Sequence, residues 1–458
     1  MKPAQTIQEP ARSVPVCHTA DVCVIGGSAT GVFAAIAAAR LGKSVALVEN
    51  EGMFGGTATA SMVNVWHSQF DEPGEKKIFA GLVEETMGQL VAAGGAVDRA
   101  HNRHWQWAFH PHRLAMLLDE MVGEQAAVRP FLHARFVAVA GGQAGRPEAA
   151  IIEDKSGRRA IRAKVFIDAT GDADLVDRAG LETWQPDHIQ PPTTTFLSTG
   201  VETSHFRDGM SLRNAVFNQS HEGALKPGFC WHAPVPGLDV EQILMVAGTR
   251  VHGADCSDAD QLTAAEIEGR RQVRRILELA HKHRPYGQAM HLVALPGRIG
   301  IRDSRRIVAG HRLSQQEVLT GVRFEDAVVN GSYRVDIHSQ DGEGLIFRYL
   351  NGEEVTCYAD GSKEVGRWAP QGEATATFYQ VPYRCLIPAG SENILAAGRC
   401  IDTDEGAFGA YRVMVNCGQS GQAAGVAAAL AAETDGAVGE VDTGQLRDRL
   451  ASQGAIVL

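Results

Sequence analysis

The sequence predicts an α/β fold in which a central parallel sheet, carrying a β-hairpin insertion, is built from both ends of the chain, with an α+β domain inserted between them. Three observations lead there. The apolar run Asp21–Ile25 is followed by a glycine turn, a helix of small residues and a second apolar run, Ser44–Val48, the pattern of a buried strand, crossover helix and parallel strand. Runs of the same kind return near the far end, at Ile394–Ala397 with a glycine-spaced helix behind it. Between about residues 185 and 375, polar and apolar segments instead alternate around one long helix.

Size and composition fit such an assembly. A chain of 458 residues, 44% hydrophobic and 21% charged, is long enough for two or three domains with a large core. Its net charge of −11 argues against nucleic acid or an anionic membrane as the main partner. No apolar run reaches the roughly 18 residues that a membrane span needs. The eight cysteines, at positions 17, 23, 230, 256, 357, 385, 400 and 417, never form a CxxC pair, which points to reduced thiols in a cytoplasmic protein rather than to an iron–sulfur or zinc cluster. The expected boundaries are an N-terminal arm over 1–19, sheet domain over 20–185 and 378–435, inserted domain over 186–377 and a C-terminal tail over 436–458.

The turn Gly26, Gly27, Ser28, Ala29, Thr30, Gly31 explains the first crossover. A residue without Cβ is needed where strand turns sharply into helix, backbone amides at the helix start suit a diphosphate, and Gly31 lets the helix lie close to the sheet. Glu49, at the tip of the second strand, is placed to accept hydrogen bonds from both ribose hydroxyls of an adenosine and to repel a 2′-phosphate. The context of strand before, helix after and an acid about 20 residues on makes this a dinucleotide site. Ser28 stands where the pattern has its second glycine and is small enough to take its place.

Further along, Gly52–Thr59 is a second glycine loop. Helices are predicted over Ile78–Ala93 and, with proline in its first turn, over Pro111–Val122, with the polar-aromatic loop His101–Trp107 between them. Phe131–Ala140 and Ala149–Glu153 make the hairpin, and Ala160–Asp168 a strand that ends in Ala169, Thr170, Gly171 and Asp172. Small residues with acids beyond them suit a backbone that approaches a ligand at the carboxyl edge of a parallel sheet. In the inserted region the long helix runs from near Asp258 to His283 and Pro285 ends it. The arginine-rich turn Arg298–Arg306 and the segment Tyr333–His338 are its most distinctive features. After the strand-like Phe378–Leu386 and the strand Ile394–Ala397 come Gly398 and Arg399, a loop over Gly406–Arg412 and a helix over Cys417–Ala432.

Taken together, Val24–Gly31, Phe54–Thr59, Ile167–Asp172, Arg302–Ile307, Tyr379–Cys385 and the stretch from Ala397 through Arg412 to Gly425 resemble the FAD-dependent oxidoreductases of the fumarate-reductase-like arm of the Rossmann-type flavoproteins. The resemblance implies FAD. It puts Gly26 to Gly31 on the diphosphate, Glu49 and Asn50 at the adenosine ribose, Gly55, Gly56 and Thr57 on the far side of the cofactor, and the Phe136 and Val137 backbone at the adenine. Ala169, Thr170, Gly171, Asp172, Gly398 and Arg399 line the other side, and a helix start near Gly418, Gly421 and Gln422 faces flavin N1, where its positive end stabilises negative charge by up to ~2 kcal/mol.

The implied activity is two-electron, hydride-type oxidation or reduction of a small organic substrate at flavin N5. No second GxGxxG marks a nicotinamide domain, so electrons enter from the substrate and leave to oxygen, a quinone or a carrier protein. A flavin monooxygenase and an electron-relay subunit without a small-molecule substrate are the alternatives, and a homo-oligomer is compatible with all three. His338 and His67 are the candidate bases, each with the plainer reading of a hydrogen-bonded structural histidine. Arg302, Arg305 and Arg306 suit a substrate carboxylate or salt bridges to Asp303 or Asp336. Arg412 precedes the flavin-facing helix and serves either reduced flavin or an anionic substrate. Cys400 and Cys417 read as structural, Tyr379 and Tyr383 as strand residues packing against the inserted domain, and His110 with His112, lacking a third ligand, as no metal site.

Overall fold

The computed structural model describes residues 6–99, 105–206, 211–226, 228–237, 242–338, 344–358, 362–372, 375–434 and 436–458. Its centre is a seven-stranded mixed sheet, ordered Val128–Phe131, Val45–Val48, Val16–Ile25, Gly157–Asp168, Ala149–Asp154, Arg135–Ala140, with Ile394–Ala396 also paired to Gly157–Asp168. Val45–Val48 is buried along its whole length, as a parallel strand covered on both faces should be. Parallel registers run from Val22 opposite Val45 to Ile25 opposite Val48, and Ile25 also lies opposite Asp168. Ala396 pairs with Asp168 from the other side, so strands from both halves of the chain finish at one edge.

Gly157–Asp168 is shared between two pairings. Its first half is antiparallel to Ala149–Asp154, its last three residues are parallel to Ile394–Ala396, and the strand is longer than the predicted Ala160–Asp168. The predicted hairpin arm Phe131–Ala140 is in fact two elements. His133 adopts a left-handed φ of 51°, which ends Val128–Phe131 as a parallel strand and starts Arg135–Ala140 as the hairpin arm.

The helix Ala29–Arg40, buried from Ala29 to Ala38, packs against Met414–Ala431. Their closeness depends on missing side chains: a Cβ on Gly421 would lie 2.1 Å from the Thr30 carbonyl oxygen, and one on Gly425 2.2 Å from that of Ala34. The C-terminal helix starts at Met414, three residues before the expected Cys417. The expected loop over Gly406–Arg412 is a helix, Glu405–Tyr411, capped by the Asp404 side chain accepting from the Ala407 amide at 2.7 Å. Two glycines in seven residues hide this helix from propensity, and packing overrides them, since a Cβ on Gly409 would meet the Asp336 backbone at 2.7 Å.

The inserted region contains two four-stranded antiparallel sheets. One is Trp231–Pro234, Leu244–Ala247, Phe196–Thr199 and His291–Ala294, covered by the helix Ala259–His283 through Val273, Ile276 and Ala280. Asp258 caps that helix by accepting from the Gln261 amide at 2.9 Å. The other is Val335–His338, Gly344–Arg348, Glu353–Tyr358 and Lys363–Arg367. Tyr379 and Tyr383 face inward, their hydroxyls donating to the carbonyls of Ala410 and Val438 at 2.9 and 2.8 Å. Among the described residues no helix is long and apolar enough to cross a membrane.

Replacing Gly421 by valine forces the two central helices apart. We expect Gly421→Val to lose about 1–3 kcal/mol or more in urea unfolding; an unchanged midpoint and slope would contradict backbone contact between these helices.

Candidate functional site

The two glycine turns meet at the carboxyl edge of the sheet. Gly26, at φ +102°, lies so near the next strand end that a Cβ there would sit 2.4 Å from the Ala169 carbonyl oxygen. Ser28 and Gly55 form a parallel bridge, which lays the second glycine loop alongside the first. Beneath them Asp168 is fully buried and holds the Ala169–Asp174 loop in shape, accepting from the Thr170 hydroxyl at 2.6 Å and from the Leu175 and Val176 amides at 2.8 and 3.1 Å. Burial pushes its carboxyl pKa upward, against these hydrogen bonds.

A cavity of about 1340 Å³ opens from this edge. Its wall brings together Gly26, Ser28, Ala29, Thr30, Glu49, Asn50, Gly55, Gly56, Thr57, Phe136, Ala169, Thr170, Gly171, Asp172, Gly398 and Arg399, and also His67, His338 and Arg412. That volume exceeds the roughly 300–1,000 Å³ of a single small-ligand pocket, so there is room for a long cofactor and a second molecule.

Six predicted residues lie off the wall. The Gly27 amide donates to Glu49 Oε2 at 2.7 Å and so orients the acid, whose other oxygen accepts from the Glu51 amide at 2.8 Å. Gly31 sits under the Gly26 carbonyl, 1.7 Å from where a Cβ would be. Val137 falls at a register shift in the hairpin and packs with Ala149, Ile151 and Ala160. Gly421 belongs to the helix contact, and Gln422 turns to the Leu82 amide at 3.1 Å, because the helix begins too early for either to be near its N-terminus. Val413, Met414 and Cys417 take their place at the wall. Arg305 is held by Asp174 and Asp177, both at 2.9 Å.

Arg306 is buried against Asp303 at 2.7 Å and over the Phe408 ring, which leaves Arg302 as the member of that trio on the cavity wall. Arg399 pairs with Asp172 at 3.1 Å, while its buried Nη1 has no hydrogen-bond partner among the described residues. Cys400 and Cys417 are buried free thiols, and burial raises the pKa of both, that of Cys417 to about 12. His110 and His112 stand with ring centroids 5.8 Å apart, and among the described residues no group of three or more His, Cys, Asp or Glu side chains is arranged to hold a metal. Trp105 also lines the cavity and Trp107 is buried in the strand Trp107–Phe109, whereas His101 and His104 lie outside the described residues.

On the same wall Tyr333, Asp336 and His338 of the inserted region meet Arg412 and His67 in a compact polar cluster. Asp336 Oδ2 accepts from the Tyr333 hydroxyl at 2.9 Å and from Arg412 Nη2 at 3.0 Å. His338 Nε2 is 3.7 Å from Asp336 Oδ1, and the His67 ring packs at 4.3 Å from that of Tyr333. Burial first, then the charges of Arg302, Arg250 and Arg412, hold the His338 pKa well below its ordinary 6.5. The imidazole is therefore neutral at neutral pH. Arg250 had no signal in the sequence, being a single arginine outside any motif. Asp336 was visible only as an alternative salt-bridge partner for the arginine turn.

The chain matches, over residues 21–450, the family described as FAD dependent oxidoreductase. Among solved structures it is similar to a geranylgeranyl bacteriochlorophyll reductase-like protein from Thermoplasma acidophilum, at 11% identity over 95% of this chain and 84% of that one, with a TM-score of 0.46. It is also similar to a myxobacterial chondrochloren halogenase, at 13% identity over 95% and 80% with a TM-score of 0.44, and to a flavoprotein/dehydrogenase from Cytophaga hutchinsonii, at 13% identity over 94% and 83% with a TM-score of 0.44. No curated protein matches it.

The depressed pKa of His338 has a consequence for stability. Below 6.5 the unfolded chain takes up a proton that the folded protein refuses, so stability falls as pH drops through that value, with no contribution from this group above it. We expect the loss in unfolding free energy between about pH 7 and about pH 5 to be smaller in His338→Gln than in the native protein. Parallel pH curves for the two would rule out a buried, neutral His338.

Proposed function

This chain belongs to the family of FAD-dependent oxidoreductases, and from that premise we propose that it transfers a hydride between FAD and a small organic substrate held beside His338. The residues present fit the cofactor. The cradle at Gly26 has no space for a Cβ, the cavity is large enough for two molecules, and among the described residues Arg399 Nη1 is a buried donor without a partner. In this reading the Gly26–Gly31 turn and the second glycine loop hold the diphosphate, Glu49 the ribose, and Phe136 the adenine end. Arg399 and the first turn of Met414–Ala431 serve the flavin end, where amides and cation favour added negative charge. Bound FAD supplies a two-electron acceptor and donor at N5.

The chain's own residues do the rest. His338 is uncharged and takes the proton from the substrate hydroxyl or amine as hydride leaves. Tyr333 and Arg412 keep Asp336 in place, and the Asp336 carboxylate stabilises the imidazolium as it forms. Residues of both four-stranded sheets of the inserted region line the chamber, among them Ala247, Leu345 and Phe347. The observation that carries this reading is the continuity of one cavity from the glycine turns to a neutral histidine.

Anaerobic mixing of the yellow protein with pools of hydroxy acids, amines and sugars identifies the reductant by bleaching. With it in hand, His338→Ala should lower the reduction rate by about 10²–10⁴ while FAD content stays constant, and undiminished reduction would remove His338 as the base. Arg412→Ala should also slow reduction with partial FAD retention. Glu49→Ala should lose FAD on dialysis, and full occupancy afterwards would exclude the ribose role.

A further inference from the structure

Two cations in the chamber, Arg250 and Arg302, make no ion pair among the described residues. Arg250 is 7% exposed, and its Nη1 donates to the Thr193 hydroxyl at 3.1 Å and to the Thr249 carbonyl at 2.5 Å. Arg302 Nη1 reaches the same Thr193 hydroxyl at 2.6 Å and the Pro191 carbonyl at 2.6 Å. One oxygen thus joins two guanidinium groups. Among the described residues neither arginine has a carboxylate within ion-pair distance, and Arg250 Nε is buried without a hydrogen-bond partner. The nearby acid, Asp336, gives its Oδ2 to Arg412 and Tyr333, and its Oδ1 lies 3.7 Å from His338 Nε2.

A charge taken out of water without a counter-charge is strongly unfavourable. Holding two together adds their mutual repulsion. Burial lowers the Arg250 pKa to about 10, and burial followed by Arg250 and Arg412 lowers that of Arg302 well below its usual value. Such an arrangement favours a bound anion.

Resting on the hydride-transfer reading above, we infer that the substrate carries a carboxylate, received between the guanidinium groups of Arg250 and Arg302 on either side of Thr193. A planar fork matches a two-oxygen group. A singly charged anion suits the site better than a dianion for two reasons. The cost of desolvating an ion rises steeply with its charge, and the cavity also presents apolar surface from Leu345, Phe347 and Val355. The Asp336 carboxylate on the same wall repels a dianion twice as strongly.

The test is calorimetric titration of the FAD-loaded enzyme at neutral pH with acetate and benzoate, each against its uncharged amide, and with inorganic phosphate. At least one acid should bind about tenfold or more tightly than its amide, and Arg250→Met or Arg302→Met should abolish that preference with FAD retained. Removing an unpaired buried charge should also leave Tm unchanged or higher. The inference is overturned if neither acid is preferred to its amide, if phosphate binds more tightly than both acids, or if the preference survives in both variants. The acid and amide comparison needs no variant, so misfolding of either one leaves it decisive. Absence of substrate-driven flavin reduction would defeat the hydride-transfer reading while leaving the acid preference measurable, so the two failures are distinct.

Discussion

Two helices from distant parts of the chain touch backbone to backbone, and the position of the cavity follows from that contact. Thr30 and Ala34 present carbonyls where Gly421 and Gly425 lack side chains. Thr30 is one residue before Gly31 in the first glycine turn, and Arg412 stands just ahead of the second helix. Docking the helices therefore brings the turn at Gly26 and the Val413–Cys417 corner to the same wall. The strand Ile394–Ala396, paired parallel to Phe166–Asp168, ends at the same sheet edge.

The cavity wall carries both signs of charge. Glu49, Asp172, Asp174 and Arg399 line it beside the glycine turns, and burial, then Asp172 and Asp168, raise Asp174 to about 6. Arg250, Arg302 and Arg412 line it near Asp336. A net charge of −11 for the whole chain predicted nothing of this cationic cluster, because it is a sum over a surface and the cluster is local.

What could be read from the sequence was what is local in the chain. Gly26, Glu49 and the strand runs announce themselves within a few residues, since each follows from the geometry of a single turn or strand. Misreadings came where packing overrules local preference: the glycines of Glu405–Tyr411 hide a helix, and the early start at Met414 moves Gly421 and Gln422 from a helix N-terminus into a helix contact. His133 divides one predicted strand by a backbone angle that no side-chain pattern records. Arg250 and Arg302 meet at Thr193 only after three separate segments fold together, so their partnership was beyond any spacing argument. Likewise Arg305 looked like its neighbours in the arginine turn, and only the loop after Asp168 takes it away.

The helix pair also sets an order of events during synthesis. Ala29–Arg40 emerges from the ribosome roughly 20–80 s before Met414–Ala431, at elongation rates of about 5–20 residues per second. Throughout that interval its alanine-rich face, destined for Gly421 and Gly425, is without its lasting cover. A nascent chain of this design is therefore vulnerable to aggregation until very late in translation, and its dependence on chaperones should exceed that of proteins whose first helix closes on its near neighbours.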